Sequence, residues 1–319
     1  MSTNCKYYVG IDLGGTFIKG GIVNGCGEII LCDQIPTEVD NGSDAVAGNI
    51  AKLAKMLLER TNLEISDVQG IGIGCPGMID SGTGNVIYAN NLGMIDFNIA
   101  NKVSELLSGA RVKVANDANV AALGEVKFGA AKEHNSAVMI TLGTGVGGGI
   151  VDNGVLIEGN KGAGAELGHT VIHFGGEQCS CGRKGCFEAY CSATALIRDT
   201  KRAMEAHPDS KMWEIGDISK VSGKVSFDYA DTDLYAKEVV DNYIENLACG
   251  LVNMANIFRP EVILLGGGVC AQGERLTKPL QELINRDIYA GTRGPEVKII
   301  IAGLGNSAGL LGAAALLMD

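Results

Sequence analysis

The chain opens with three short apolar runs separated by tight, glycine-containing turns. The runs cover residues 7–11, 17–23 and 28–32, and their spacing predicts an antiparallel three-stranded meander. The next segment, 44–59, carries apolar residues at helical spacing, which predicts an amphipathic helix after the meander.

A similar arrangement returns in the middle of the chain. An apolar run at 137–142 is followed by a glycine turn and a second run at 148–151. The motifs Asp12-Leu-Gly-Gly-Thr16 and Thr141-Leu-Gly-Thr-Gly145 occupy equivalent places in these two strand–turn–strand units. The repeat predicts two related α/β halves with a cleft between them.

The rest of the pattern predicts buried strands separated by helices. These elements are strands at 70–74, 111–115 and 261–265, helices starting near 117 and covering 234–258 and 308–317, and a polar α-helical insert at 199–231. The uncharged stretch 299–318 is long enough to span a bilayer. Because Gly303 and Gly305 interrupt it, a buried strand, a turn and a buried helix are the better interpretation.

Composition narrows the classes of protein that this chain resembles. Its 319 residues predict about two domains, and 46% of them are apolar, enough for large cores. The formal net charge of −11 disfavours nucleic-acid and anionic-membrane partners. The start shows no basic region followed by an apolar one, so no signal peptide is visible and a cytoplasmic protein is expected. Ten cysteines then point to thiols and metal rather than disulfides.

One histidine and three cysteines have the spacing of a zinc site. His169 is followed by the run Cys179-Ser-Cys181-Gly-Arg-Lys-Gly-Cys186. Three thiolates and one imidazole match the tetrahedral preference of Zn²⁺, and four protein ligands indicate a structural site. Buried free cysteines beside an unrelated histidine are the alternative.

Three glycine turns are candidates for phosphate binding. The first holds Gly14, Gly15 and Thr16, with Asp12 as an oxygen ligand for Mg²⁺ and Lys19 as added positive charge. The second and third contain the pairs Thr144–Gly145 and Gly267–Gly268. Each alone is compatible with an ordinary turn, but together they predict one nucleotide bound from two sides.

Several polar residues are candidates for chemistry on a sugar. Asp117 lies where a strand ends and a helix begins, so it suits either a helix cap or the base of a phosphoryl transfer. Glu166 lies three residues before His169, and Glu188 lies two residues after Cys186. Carboxylates accept hydrogen bonds from sugar hydroxyls, although a surface charge is the alternative for Glu188.

Together these motifs resemble the ROK family of sugar kinases and repressors, within the actin-like superfamily. The most specific part runs from Glu166-Leu-Gly-His169 through the cysteine run to Phe187-Glu188, and Asn116-Asp117-Ala118-Asn119 also fits. The resemblance implies a two-domain actin-like (ribonuclease H-like) fold that closes about a hinge, with a zinc loop. The expected domains are 1–117 with 305–319, and 118–304.

The resemblance also assigns roles to individual residues. It implies ATP with Mg²⁺, phosphorylation of a hexose 6-hydroxyl, and Asp117 as the general base. The sugar-binding positions matched are Gly77, Asn91, Asn116, Glu166, His169 and Glu188. A departure from many glucokinases of the family is Met94, which follows Asn-Leu-Gly in place of tryptophan.

A glucokinase is the leading hypothesis, and three other possibilities stay open. Kinases for N-acetylmannosamine, mannose, fructose or allose use similar pockets, and polyphosphate can replace ATP as the donor. A sugar-sensing repressor is disfavoured because the first strand begins near Tyr7 and leaves no room for a helix-turn-helix domain before it. Family analogy favours a homodimer or a tetramer.

Overall fold

The computed structural model describes residues 6–318 of the chain, which fold into a mixture of strands and helices. The strands are β1 Tyr7–Leu13, β2 Phe17–Asn24, β3 Ile29–Pro36, β4 Val68–Cys75, β5 Met78–Asp80, β6 Asn85–Ala89, β7 Met94–Asn98, β8 Val112–Asn116, β9 Ala137–Leu142, β10 Val146–Asp152, β11 Val155–Leu156, β12 Val262–Gly266 and β13 Lys298–Ile301. The helices are α1 Ser43–Thr61, α2 Ile99–Leu106, α3 Asp117–Phe128, α4 Glu188–Cys191, α5 Ala193–Ala206, α6 Val225–Tyr229, α7 Leu234–Phe258, α8 Glu274–Asp287 and α9 Ala308–Ala315.

The first five-stranded sheet has the order β3-β2-β1-β4-β8. The predicted meander forms its antiparallel half, while β4 runs parallel to β1 and β8 parallel to β4. Parallel strands end at the same edge of a sheet, so the polar residues that follow β1, β4 and β8 are brought together there. In register, Asp12 pairs with Gly74, and Cys75 pairs with Asn116.

Helices cover this sheet and bury its apolar side chains. α1 packs on β2 and β3, and α9 packs on β1, β4 and α3. The core contains Val9, Ile11, Ile71 and Ile73, none of which is accessible to solvent. The apolar C-terminal helix is therefore buried inside protein, as its sequence predicts.

The second five-stranded sheet repeats the order of the first, as β11-β10-β9-β12-β13. β12 is parallel to β9 and to β13. Thr141 pairs with Gly266 at the end of this sheet, as Asp12 pairs with Gly74 in the first. The predicted repeat is thus present in the order of the strands.

The chain divides into two compact units. One consists of the described parts of Met1–Ser136, Gly149–Ala165 and Gly303–Asp319, and the other of Ala137–Gly148 and Glu166–Ala302. α3 falls in the first unit because it packs against α9. The expected domains, 1–117 with 305–319 and 118–304, stay a prediction.

Some predictions of secondary structure were incomplete. The three-stranded antiparallel sheet β5-β6-β7 and helix α2 were not predicted. The segment 199–231 was expected to be α-helical, yet after α5 it consists mainly of turns and the short helix α6. It is nevertheless packed, with Met212 and Phe227 fully buried.

The uncharged C-terminal stretch forms β13, a turn and α9, as expected. Each helix in residues 6–318 is too short or too polar to cross a membrane.

Candidate functional site

Asp117 is the first residue of α3, and the residue that caps the helix is Asn116. The Asn116 Oδ1 accepts hydrogen bonds from the Ala118 N–H at 2.9 Å and the Asn119 N–H at 3.3 Å. The alternative role of Asp117 as the N-cap is therefore wrong. Its Oδ1 accepts a 2.8 Å hydrogen bond from the adjacent Ala118 N–H, and a carboxylate has lone pairs for further partners.

The environment of Asp117 disfavours the ionised form of its carboxyl group. Partial removal of water raises the pKa of its carboxyl above the ordinary value, although the side chain keeps contact with solvent. Hydrogen bonds from the Ala118 N–H and from Asn116 act in the opposite direction and lower it. A raised pKa moves a carboxylate towards the range in which it accepts protons effectively.

Asp12 lies half-buried at the end of β1, opposite Lys19 on β2. Burial raises the pKa of Asp12, the Lys19 ammonium lowers it, and the negative charge of Asp117 raises it further. The two carboxylates therefore interact electrostatically at this edge of the sheet. A divalent cation is the kind of ligand that would relieve this repulsion.

Gly309 of α9 lies against the Asp12 carboxylate. A Cβ placed on Gly309 would lie 2.7 Å from the Asp12 Cγ and 3.0 Å from each of its oxygens. Any side chain at position 309 would thus displace the carboxylate. No sequence motif identified this contact, because 296 residues lie between the two positions.

The first glycine turn is largely exposed, and two hydrogen bonds to the backbone of Gly14 hold it in place. The Gly14 N–H donates to the Phe17 carbonyl at 3.0 Å, and Thr37 Oγ1 donates to the Gly14 carbonyl at 2.6 Å. Gly15 and Thr16 lie at the solvent-facing tip. The Asn91 carbonyl would be 3.3 Å from a Cβ on Gly15, so the structure brings this turn next to Asn91.

Gly77 and Asn116 are also neighbours. Gly77 has a φ of +102°, and its carbonyl accepts a 3.0 Å hydrogen bond from Asn116 Nδ2. Asn91 is exposed in the turn after β6, while Met94, at the start of β7, is completely buried. Met94 therefore packs in the core of the first unit.

The predicted zinc ligands are brought together. The ligand atoms of His169, Cys179, Cys181 and Cys186 all lie within 4.8 Å of one another. Cys179 Sγ is 3.8 Å from His169 Nδ1, and Cys181 Sγ is 3.7 Å from Cys186 Sγ. Sulfurs bound to one tetrahedral zinc at about 2.3 Å are separated by about 3.8 Å, so the cluster fits that ion. Among residues 6–318 every cysteine is a free thiol.

The pKa values of two of these thiols are shifted in opposite directions. Burial raises the pKa of Cys186 to about 12, whereas the hydrogen bond from the Arg183 N–H is the main cause that lowers the pKa of Cys181. A bound cation stabilises all three thiolates, because zinc ligation and thiol deprotonation are coupled.

Glu188 lies next to both the cysteine loop and the second glycine turn. Its Oε2 accepts a 3.1 Å hydrogen bond from the Val146 N–H, and its Oε1 accepts a 2.7 Å bond from Ser180 Oγ. A Cβ on Gly145 would be 2.4 Å from Oε2, so a side chain at position 145 would displace the Glu188 carboxylate. The Thr144 carbonyl accepts a bond from Thr194 Oγ1 at 2.8 Å.

The third glycine turn follows β12, beside the strand that leads into the second turn. Gly267 has a φ of +92°, and Gly268 begins a short 3₁₀ helix. A Cβ on Gly267 would meet the Leu142 carbonyl at 2.4 Å. The structure thus places the second and third turns together, at the ends of β9 and β12.

Glu166 is exposed and begins the short helical turn that ends at His169. The Glu166 carbonyl accepts a hydrogen bond from the His169 N–H at 3.1 Å. Because Nδ1 of His169 faces Cys179, its Nε2 lies on the other side of the ring.

Comparison with known proteins adds a family match over most of the chain. The ROK family profile matches residues 8–319. A glucokinase of Halalkalibacterium halodurans is 40% identical over 313 residues, covering 96% of this chain and 93% of that protein. The crystal structure of a ROK family glucokinase from Streptomyces griseus, in complex with glucose and AMPPNP, has a TM-score of 0.77 at 32% identity. It covers 97% of this chain and 98% of its own. More distantly, the xylose repressor of Bacillus subtilis is 27% identical, covering 98% of this chain and 77% of that protein.

Proposed function

This chain belongs to the ROK family, and on that basis we propose that it is a sugar kinase that converts ATP and D-glucose to ADP and D-glucose 6-phosphate. The observation that carries the proposal is the arrangement of Asp117. Its carboxylate is oriented by the start of α3, retains free lone pairs, and interacts with Asp12 at the same edge of the sheet.

In the proposed reaction Asp117 acts as the general base. The glucose 6-hydroxyl gives its proton to the Asp117 carboxylate while its oxygen forms a bond to the γ-phosphorus of ATP. The bond from that phosphorus to the bridging oxygen breaks, and the electron pair leaves with ADP. Phosphoryl transfer of this kind depends mainly on positioning and charge neutralisation.

The nucleotide is assigned to the glycine turns. Backbone N–H groups of Gly14, Gly15 and Thr16, and those of the second and third turns, are suited to phosphate oxygens. Lys19 adds positive charge. Asp12 would hold Mg²⁺, directly or through water, and the ion supplies neutralisation of the phosphate charge.

We assign the sugar to the residues Gly77, Asn91, Asn116, Asp117, Glu166, His169 and Glu188. Zinc would be held by Cys179, Cys181, Cys186 and the Nδ1 of His169, in a closed structural site. With Nδ1 on the metal, the tautomer of His169 is fixed and its Nε2 can bind a sugar hydroxyl.

A panel of sugars tests the proposed function. Purified protein with ATP and Mg²⁺ should release ADP in the presence of glucose, with a higher kcat/KM than for mannose, fructose, allose or N-acetylmannosamine. A parallel series with polyphosphate replacing ATP should be slower. A higher kcat/KM for another sugar would reassign the substrate, and no sugar-dependent ADP release would contradict the proposal.

We also propose that the enzyme is a homodimer in the cytoplasm, on the family analogy alone. Mass measurement in solution by light scattering checks the dimer, and a mass of four chains would favour the tetramer instead.

Cys181→Ser is expected to remove zinc and to weaken sugar binding. We expect the zinc content to fall from about one ion per chain, and KM for glucose to rise about tenfold because the loop carries His169 and precedes Glu188. Metal analysis and steady-state kinetics measure both. Cys249→Ser, which changes another exposed thiol, is the control. A metal-free, folded variant with unchanged KM would contradict the link.

Gly309→Ala is expected to impair the use of Mg²⁺ and ATP. The added methyl occupies the place of the Asp12 carboxylate, so we expect kcat/KM for ATP to fall about tenfold, or roughly 1.4 kcal/mol of barrier. Gly48→Ala is the control, because a Cβ at this position in α1 meets nothing within 4 Å. Wild-type kinetics at limiting Mg²⁺ would show that the contact is irrelevant.

A further inference from the structure

Both oxygens of the Glu188 carboxylate accept hydrogen bonds from other residues of the chain. The Val146 N–H, just after the second glycine turn, donates to Oε2, and Ser180 Oγ donates to Oε1 at 2.7 Å. The Cys179 thiol also approaches Oε1, but at 3.6 Å. Because a thiol is a weak donor and a hydroxyl a strong one, Ser180 is the principal partner of Oε1.

Ser180 owes its position to the cysteine loop. It lies between Cys179 and Cys181, two of the clustered residues, so its backbone is fixed whenever that cluster is held together. Its side chain is exposed while Glu188 is half-buried. The loop therefore presents a hydroxyl to the Glu188 carboxylate at 2.7 Å, the usual length of an O–H···O hydrogen bond.

This hydrogen bond leaves Glu188 able to accept more. A carboxylate has about four lone-pair directions, and the two strong donors use two of them. A side chain that is already ordered loses less conformational entropy when a ligand binds to it. This difference corresponds to roughly two- to tenfold in affinity.

We infer that Ser180 is a positioning residue for the proposed reaction, which orients Glu188 for sugar binding from within the cysteine loop. The inference rests on the proposed function, because it gives Glu188 a sugar to bind. Ser180 acts through Glu188 and is not assigned to the chemical step.

Ser180→Ala and Ser180→Thr, measured with metal content, test the inference. In Ser180→Ala we expect KM for glucose to rise about fivefold, with KM for ATP within about twofold of wild type and zinc content unchanged. Ser180→Thr keeps the hydroxyl and should restore KM for glucose. The matched control is Ser136→Ala, which removes a 3.1 Å serine–carboxylate bond to Asp152 elsewhere in the chain.

The outcomes separate this inference from the proposed function. An active Ser180→Ala enzyme with wild-type KM for glucose overturns the role of Ser180 and leaves the kinase proposal standing. A rise in KM that comes with zinc loss, or that threonine does not restore, assigns the effect to the loop as a whole and also overturns it. Absence of sugar-dependent ADP release in the wild-type protein instead contradicts the proposed function.

Discussion

Asp117→Asn is expected to lower kcat about a thousandfold, within the range of general-base catalysis, while KM for glucose stays near the wild-type value. Asparagine is the same size and cannot accept a proton from the sugar hydroxyl. The start of α3 should persist, because Asn116 caps the helix and the oxygen of the new amide can still accept from the Ala118 N–H.

Asp44→Asn is the matched control for this variant. Asp44 is also an acid in the first turn of a helix of the same unit, but it is exposed and pairs with Lys102. It should retain wild-type kcat. If Asp117→Asn keeps activity within about tenfold of wild type, roughly 1.4 kcal/mol of barrier, Asp117 is not the base.

Glu125→Ala is expected to reduce the free energy of unfolding by about 3 kcal/mol or more, since three hydrogen-bond donors lose a charged acceptor. Glu125 is completely buried in α3. Its carboxylate accepts from the N–H groups of Ala130 at 2.8 Å, Gly303 at 3.0 Å and Leu304 at 2.7 Å. These bonds hold the segment that leads into α9.

The midpoint of urea denaturation measures this effect. Glu133→Ala, which removes an exposed carboxylate nearby in the sequence, should change it little. Glu125→Gln should lie between the two, because the amide keeps one acceptor oxygen and directs an NH₂ group towards the remaining donors. A Glu125→Ala protein as stable as wild type would mean that water replaces the carboxylate.

Features that depend on local pattern were predictable from the sequence. The period of apolar residues gave α7 and β9 with their observed bounds, because such elements bury one continuous stretch of side chains. The cysteine run predicted a cluster of metal ligands, because three cysteines within eight residues cannot lie far apart in space. The match of Thr141 to Asp12 indicated the repeated strand order.

Features that depend on distant segments were not predictable in this way. The β5-β6-β7 sheet consists of short strands in a glycine- and asparagine-rich segment, where alternation is too brief to recognise. Glu125 looked like one more charge on a helix, since its three donors lie at 130, 303 and 304. The sequence does not mark Ser180 either, because its role depends on the position of Glu188, eight residues later.

The common strand order of the two large sheets shows where a protein with this fold accommodates inserted segments. In chain order, the third and fourth strands of the first large sheet are β3 and β4, and those of the second are β11 and β12. A single helix, α1, connects the first pair, whereas the second pair is connected by the cysteine loop and α4 to α7. The sheets form a shared frame, and the halves differ in what is inserted between these two strands and in the β5-β6-β7 sheet and α2, which lie between β4 and β8. Glu166, His169 and Glu188 lie in the connection between β11 and β12, so we expect that exchanging this connection as a module would change these proposed sugar contacts and keep the strands of the frame.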